Sequence, residues 1–97
     1  MIPLRWTEQA ADDLAGIRDF IARDSPAYAQ LIASRLYLSV SYLREFPDLG
    51  RIVPERGQSE LRELIRLRYR IVPRRSGDLI EILTIFHSSR PFPETLG

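Results

Sequence analysis

The side chains able to do chemistry are concentrated in residues 61 to 90. Seven of the fourteen arginines lie there (Arg62, Arg66, Arg68, Arg70, Arg74, Arg75 and Arg90), with the only histidine, His87, and three acids, Glu63, Asp78 and Glu81. That stretch has a charge balance of +4, whereas residues 1 to 60 set seven arginines against nine acids, a balance of −2. There is no lysine. A GC-rich coding sequence would also favour arginine throughout. A guanidinium fork nevertheless fits phosphate or carboxylate better than an ammonium does, so the basic half points to an anionic partner, nucleic acid or an acidic protein segment. His87, with an unperturbed pKa near ~6.5, could donate or accept a proton. Glu63 could serve as a base, against the competing assignment of an ion pair with a neighbouring arginine.

Other chemistries are excluded or disfavoured. Without cysteine there are no disulfides, thiolate chemistry or cysteine zinc sites, which fits a reducing, cytoplasmic setting. One histidine is too few for an imidazole metal site, and the five scattered glycines assemble no phosphate loop. No cofactor or metal is expected. No run of about 18 apolar residues marks a membrane span, and no basic-then-apolar leader opens the chain. Ninety-seven residues suggest one domain, 1 to 97, with one modest core.

The elements that must position these groups follow from periodicity. Ile2, Leu4 and Trp6 alternate with Pro3 and Arg5, predicting a short strand near a sheet edge. Thr7 is an N-cap candidate, and Ala10, Leu14, Ile17 and Ile21 recur at helical spacing. Gly16, in mid-helix, suggests close approach by a neighbour. Ser25-Pro26 opens a second helix ending near Glu45, ahead of Pro47. One of its stripes is Ala29, Ile32, Leu36, Val40 and Leu43. A second, Tyr28, Leu31, Leu38 and Tyr42, is expected to meet the first helix in an αα-hairpin; the alternative is a surface for a partner.

Residues 47 to 60 lack periodicity and read as a loop, pinned by Leu49, Ile52 and Val53. Residues 61 to 66, 69 to 74 and 79 to 86 read as strands, the last central and covered on both faces. Ser76-Gly77-Asp78 supplies turn chemistry. The join at Leu67-Arg68 has no turn residue. A hairpin is preferred there, the alternative being one long strand. Pro73 forces a bulge or an unpaired ladder position, and Arg74 and Arg75, flanking a turn, are expected to be solvated. The fold class is α+β: a short N-terminal strand, an αα-hairpin, then a three-stranded antiparallel sheet with the helices on one face.

In this order the chain resembles the RelE/ParE superfamily of toxins from type II toxin–antitoxin pairs. The likeness rests on Trp6-Thr7 with Ala10-Ala11-Asp12-Asp13-Leu14, on Phe46-Pro47-Asp48-Leu49-Gly50-Arg51, on Leu61-Arg62-Glu63-Leu64, on Tyr69-Arg70-Ile71-Val72, and on Ile80 to Ile85 followed by Phe86-His87-Ser88-Ser89-Arg90. It supports the hairpin. Leu61 to Leu64 taken with Phe86 to Arg90 is more similar to the ParE-like branch, whose members poison DNA gyrase, than to the RelE-like branch, which cuts mRNA on the ribosome. Pro73 departs from the strand-forming residue that relatives often keep.

The resemblance implies a cognate antitoxin, a helix or extended segment, often acidic, lying across the helices and the basic sheet. The stripe Tyr28, Leu31, Leu38 and Tyr42 and the arginines Arg62, Arg66, Arg68, Arg70 and Arg90 are the expected contacts for antitoxin or target. Metal-free RNA cleavage would need a base, cationic stabilisation and an acid. Arg70, His87, Arg90 and Glu63 are the candidates, with Arg70 matching the strand arginine of RelE-like nucleases. Residues 91 to 97 supply neither the late tyrosine nor the fuller basic cluster of those enzymes. A gyrase-binding toxin is therefore the leading expectation, a ribosome-dependent endonuclease the second, and a non-toxic antitoxin-binding remnant the third.

Overall fold

A computed structural model of the chain describes residues 1–96. Strand β1 spans Leu4–Trp6, and helix α1, Glu8–Ala22, starts where the Thr7 hydroxyl accepts from the Ala10 amide at 3.1 Å. The same hydroxyl donates to the Ile82 carbonyl at 2.6 Å, tying the helix start to the sheet. Helix α2, Pro26–Ser41, is capped by Ser25, whose Oγ accepts from the Tyr28 amide, and it has proline in its first turn, where the missing N–H costs nothing. A 3-10 turn, Tyr42–Arg44, finishes it.

The remaining strands are β2 (Arg51–Ile52), β3 (Arg62–Arg66), β4 (Tyr69–Ser76) and β5 (Leu79–His87). They form one five-stranded sheet in the order β1-β5-β4-β3-β2. The α+β class and the edge position of the first strand are as the sequence predicts. The sheet is larger than the expected three strands, because β1 joins it parallel to β5 and the two-residue β2 adds to β3. Gly50 permits β2: its φ is +99°, and a side chain there would collide with the Glu63 backbone.

The hairpin between β3 and β4 turns on Leu67 (φ 52°) and Arg68 (φ 72°). Two positive φ angles in a two-residue loop are the type I′ signature, normally met by Asn-Gly. The bulge expected at Pro73 is present. Val72 pairs with Thr84 but Pro73 with Ile82, so the ladder skips Leu83 at the residue that has no N–H.

On one sheet face α1 and α2 close a core of Ala10, Ile32, Leu36, Val40, Leu43, Leu64, Ile71, Ile80, Ile82 and Ile85. On the other, Val53 and Leu61 from the loop and Phe92 and Leu96 from the tail cover Val72, Leu83 and Phe86. Burying each large aliphatic side chain contributes roughly 1.5–3 kcal/mol. β5 is therefore covered on both faces, as predicted, but on the second face by loop and tail. Three expectations fail. Nothing approaches Gly16 within 4 Å of a built Cβ, so the glycine opens onto a groove. Ile52 is exposed, leaving Leu49 and Val53 as the loop's anchors. The second stripe of α2 does not meet α1: Tyr28, Leu31, Leu38 and Tyr42 are exposed, because the first stripe supplies the apolar contacts to both the sheet and α1.

Candidate interface on the arginine-bearing sheet

Strand register decides which arginines are free. On the face away from the helices, Arg51 of β2 lies opposite Glu63 of β3 and donates to it at 2.9 Å, while Arg70 of β4 donates to the same carboxylate. A second ladder sets Glu81 of β5 between Arg5 of β1 and Arg74 of β4, directly opposite both. Each ladder is one buried glutamate between two arginines. Directly opposed unlike charges stabilise a sheet, and a buried carboxylate needs such partners. Arg75 is half-buried and pairs with Asp48 at 3.2 Å. Arg74 and Arg75 thus each make an intramolecular ion pair, Arg74 while exposed, as expected of a residue flanking a turn, and Arg75 half-buried.

Arg70 is the most enclosed, at 8% exposure. Its two terminal nitrogens hold the Glu55 carboxylate in a fork at 3.0 and 2.8 Å, and one of them also reaches Glu63. The guanidinium carbon lies 5.3 Å from the Phe86 ring centre and 5.1 Å from that of Phe92. Hydrogen bonding from Arg70 lowers the Glu55 pKa to about 2, and the same contact raises that of the guanidinium. The ion-pair reading of Glu63 is the one the geometry supports.

The opposite arrangement occurs at one end of the sheet. Arg66 and Arg68 sit at the β3–β4 hairpin and Arg90 in the turn after β5, all exposed. Among the described residues no carboxylate lies within ion-pairing distance of these three. The Ser88 amide donates to the Arg68 carbonyl at 2.7 Å, which fastens the hairpin tip to the exit of β5. Ile65 and Leu67 are exposed beside them. Leu67 and Arg68 hold the left-handed conformation without glycine, a cost of about 1–2 kcal/mol per residue, and such strain gathers at functional positions. Arg62 stands apart: half-buried, its Nε donates to the Ser59 carbonyl.

His87 faces the helices. With Tyr69, Arg90 and Gly16 it lines a groove of about 750 Å³ between α1 and the end of β5. The Ser89 amide donates to its Nδ1, which leaves the proton on Nε2 in the neutral ring, and Tyr69 packs edge-on at 5.3 Å. Burial raises the Tyr69 pKa. The four nuclease candidates are therefore divided. Glu63 and Arg70 lie under the loop and tail on one face, whereas His87 and Arg90 line the groove on the helix face. The partners missed from sequence are Glu55 and Arg5. Neither carries a local signal, since Glu55 sits in an aperiodic loop and Arg5 meets Glu81 only through the parallel pairing of β1.

The sheet and its two helices have counterparts in known proteins. Residues 4–92 match the family described as the ParE toxin of the type II toxin–antitoxin system parDE. The chain is 35% identical over 91 residues to Toxin RelE2 of Caulobacter vibrioides, covering 93% of this chain and 99% of that one. It superposes on a chain of the chromosomal ParDE toxin–antitoxin system from P. aeruginosa with a TM-score of 0.74 and 28% identity, over 90% of this chain and 96% of the other.

Proposed function

The chain belongs to the ParE toxin family of type II toxin–antitoxin systems, and from that premise we propose that it acts in the cytoplasm as a gyrase-directed toxin, binding DNA gyrase and trapping its cleavage complex. One observation carries the choice of target. Of the residues needed for phosphoryl chemistry, Glu63 and Arg70 lie on one face of the sheet and His87 and Arg90 at the groove on the other, whereas Arg66, Arg68 and Arg90 are exposed and have no ion-pair partner among the described residues, beside exposed Ile65 and Leu67. General acid–base cleavage needs its groups within reach of one phosphate, and Arg70 already has both terminal nitrogens occupied. A surface of free guanidinium groups with apolar neighbours suits binding.

The endonuclease reading draws support from the RelE name of one relative and from the position of Arg70 in β4. It requires Arg70 to leave two glutamates. In the third reading, a remnant without toxicity, only antitoxin binding persists.

The exposed stripe Tyr28, Leu31, Leu38 and Tyr42 is the surface that the antitoxin would cover. It runs along one side of α2, interrupted by Arg35, into the 3-10 turn at Tyr42, a stripe that a partner helix could read. Arg62, with its Nε held by Ser59, belongs at the margin of this interface. Induced expression without antitoxin separates the readings. DNA-damage signalling is the expected result; rapid translation arrest with cut mRNA would favour the nuclease, and normal growth the remnant.

A further inference from the structure

Glu63 and Glu55 both bind Arg70, but they are held differently. Glu63 stands on β3 with its side chain fully buried. Glu55 reaches in from the turn between Val53 and Gly57, and its side chain remains 44% exposed. The first is part of the sheet; the second fills a position that another carboxylate could fill. We propose that Arg70, with Arg51 beside it, forms a carboxylate-binding site that Glu55 occupies from within, and that an acidic side chain of a protein partner enters it by displacing Glu55.

Three features carry this. First, the donor set exceeds what the two glutamates use: Arg70 Nε is buried and has no hydrogen-bond partner among the described residues, although its side chain is 91% enclosed. A carboxylate taking the Nε edge of the fork would satisfy a donor that neither glutamate reaches. Second, the local charge favours an anion. Arg51 and Arg70 balance Glu63 and Glu55, and withdrawing Glu55 leaves two arginines against one glutamate.

Third, the parts that close the site are joined. Arg56, next to Glu55, donates to the carbonyls of Pro93 and Glu94 at 3.1 and 2.9 Å, and its guanidinium carbon lies 5.4 Å from the centre of the Phe92 ring that also covers Arg70. Moving the 53–57 turn therefore loosens the tail over Nε as it withdraws Glu55. The present occupant is a carboxylate in a two-point fork, which favours an acidic protein segment over a phosphodiester. This site is separate from the arginine end assigned to the target and does not rest on the gyrase reading.

The test uses the full chain with ¹⁵N-labelled arginine, following the Arg70 Nε–H signal in wild type, Glu55→Gln and Glu55→Ala during titration with hexaglutamate or, separately, inorganic phosphate. Removing the internal competitor is expected to lower the peptide concentration that perturbs this signal by at least about tenfold, and Arg70→Lys added to Glu55→Gln is expected to abolish peptide binding measured by calorimetry. An unchanged peptide response in both single variants would overturn the proposal. So would a response to phosphate with none to peptide. Loss of folding in both single variants would make Glu55 a structural residue and overturn it equally.

Discussion

Arg70 and Arg68 stand two residues apart in the same hairpin and have opposite environments. Arg70 is enclosed between two phenylalanines and holds two carboxylates. Arg68 is exposed at a strained turn, and no described carboxylate lies within ion-pairing distance. An arginine-rich stretch is thus not one basic surface. Register across β2, β3 and β4 assigns some of its members to buried glutamates and leaves others exposed. Helix α2 repeats the division with apolar residues, where Leu36 is fully buried and Leu38, on the facing-out stripe, is 56% exposed.

The sharpest way to break this contrast is to remove each arginine in turn. Arg70→Ala strips a partner from buried Glu63 and is expected to cost about 3–5 kcal/mol in chemical denaturation. Arg68→Ala should stay within about 0.5 kcal/mol of wild type. Equal costs would erase the distinction. The helix offers the same test at somewhat smaller scale. Leu36→Ala should cost about 2–5 kcal/mol through the cavity it leaves. Leu38→Ala should leave the isolated toxin within about 0.5 kcal/mol, yet weaken antitoxin binding measured by calorimetry.

Replacing Leu67-Arg68 with Asn-Gly removes the left-handed strain at the glycine and eases it at the asparagine, and should stabilise the fold by about 1–2 kcal/mol or somewhat more, while reducing toxicity. A more stable variant with full toxicity would mean that the tip is not used.

The smallest expected effect concerns pH. The Glu55 pKa falls from 4.5 to about 2 on folding, so its pairing with Arg70 contributes fully above pH 4.5 and is lost as pH falls toward 2. Glu55→Gln should flatten that part of the stability–pH profile. An identical acid slope in the variant would show that Glu55 is not responsible.

Local signals made much of this fold legible. Thr7 and Ser25 cap the helices they were expected to cap, Pro73 marks the bulge, and the apolar run from Leu79 to Phe86 is covered on both faces. What escaped depends on distant pairing. Two residues are too few for β2 to show alternation, and its existence rests on Gly50 approaching Glu63. Leu67-Arg68 has no turn chemistry, because the strands on either side impose the turn on it. Arg70 stands out in the sequence as a strand arginine, yet its main partner Glu55 lies fifteen residues away in sequence, in a segment with no period. The α2 stripes could be found from spacing, but only packing decided which of them is left outside.

On the proposed function, target binding resides at the open end formed by Arg66, Arg68 and Arg90 rather than at Arg70. Purified wild-type protein mixed with gyrase and supercoiled DNA is expected to accumulate linear, cleaved DNA. The triple variant Arg66→Ala, Arg68→Ala, Arg90→Ala should keep its unfolding midpoint and lose potency by at least about tenfold, since three charged contacts at about 0.5–1 kcal/mol each give that much. Cleavage by the triple variant at wild-type potency, or no cleavage with the wild type, would contradict it.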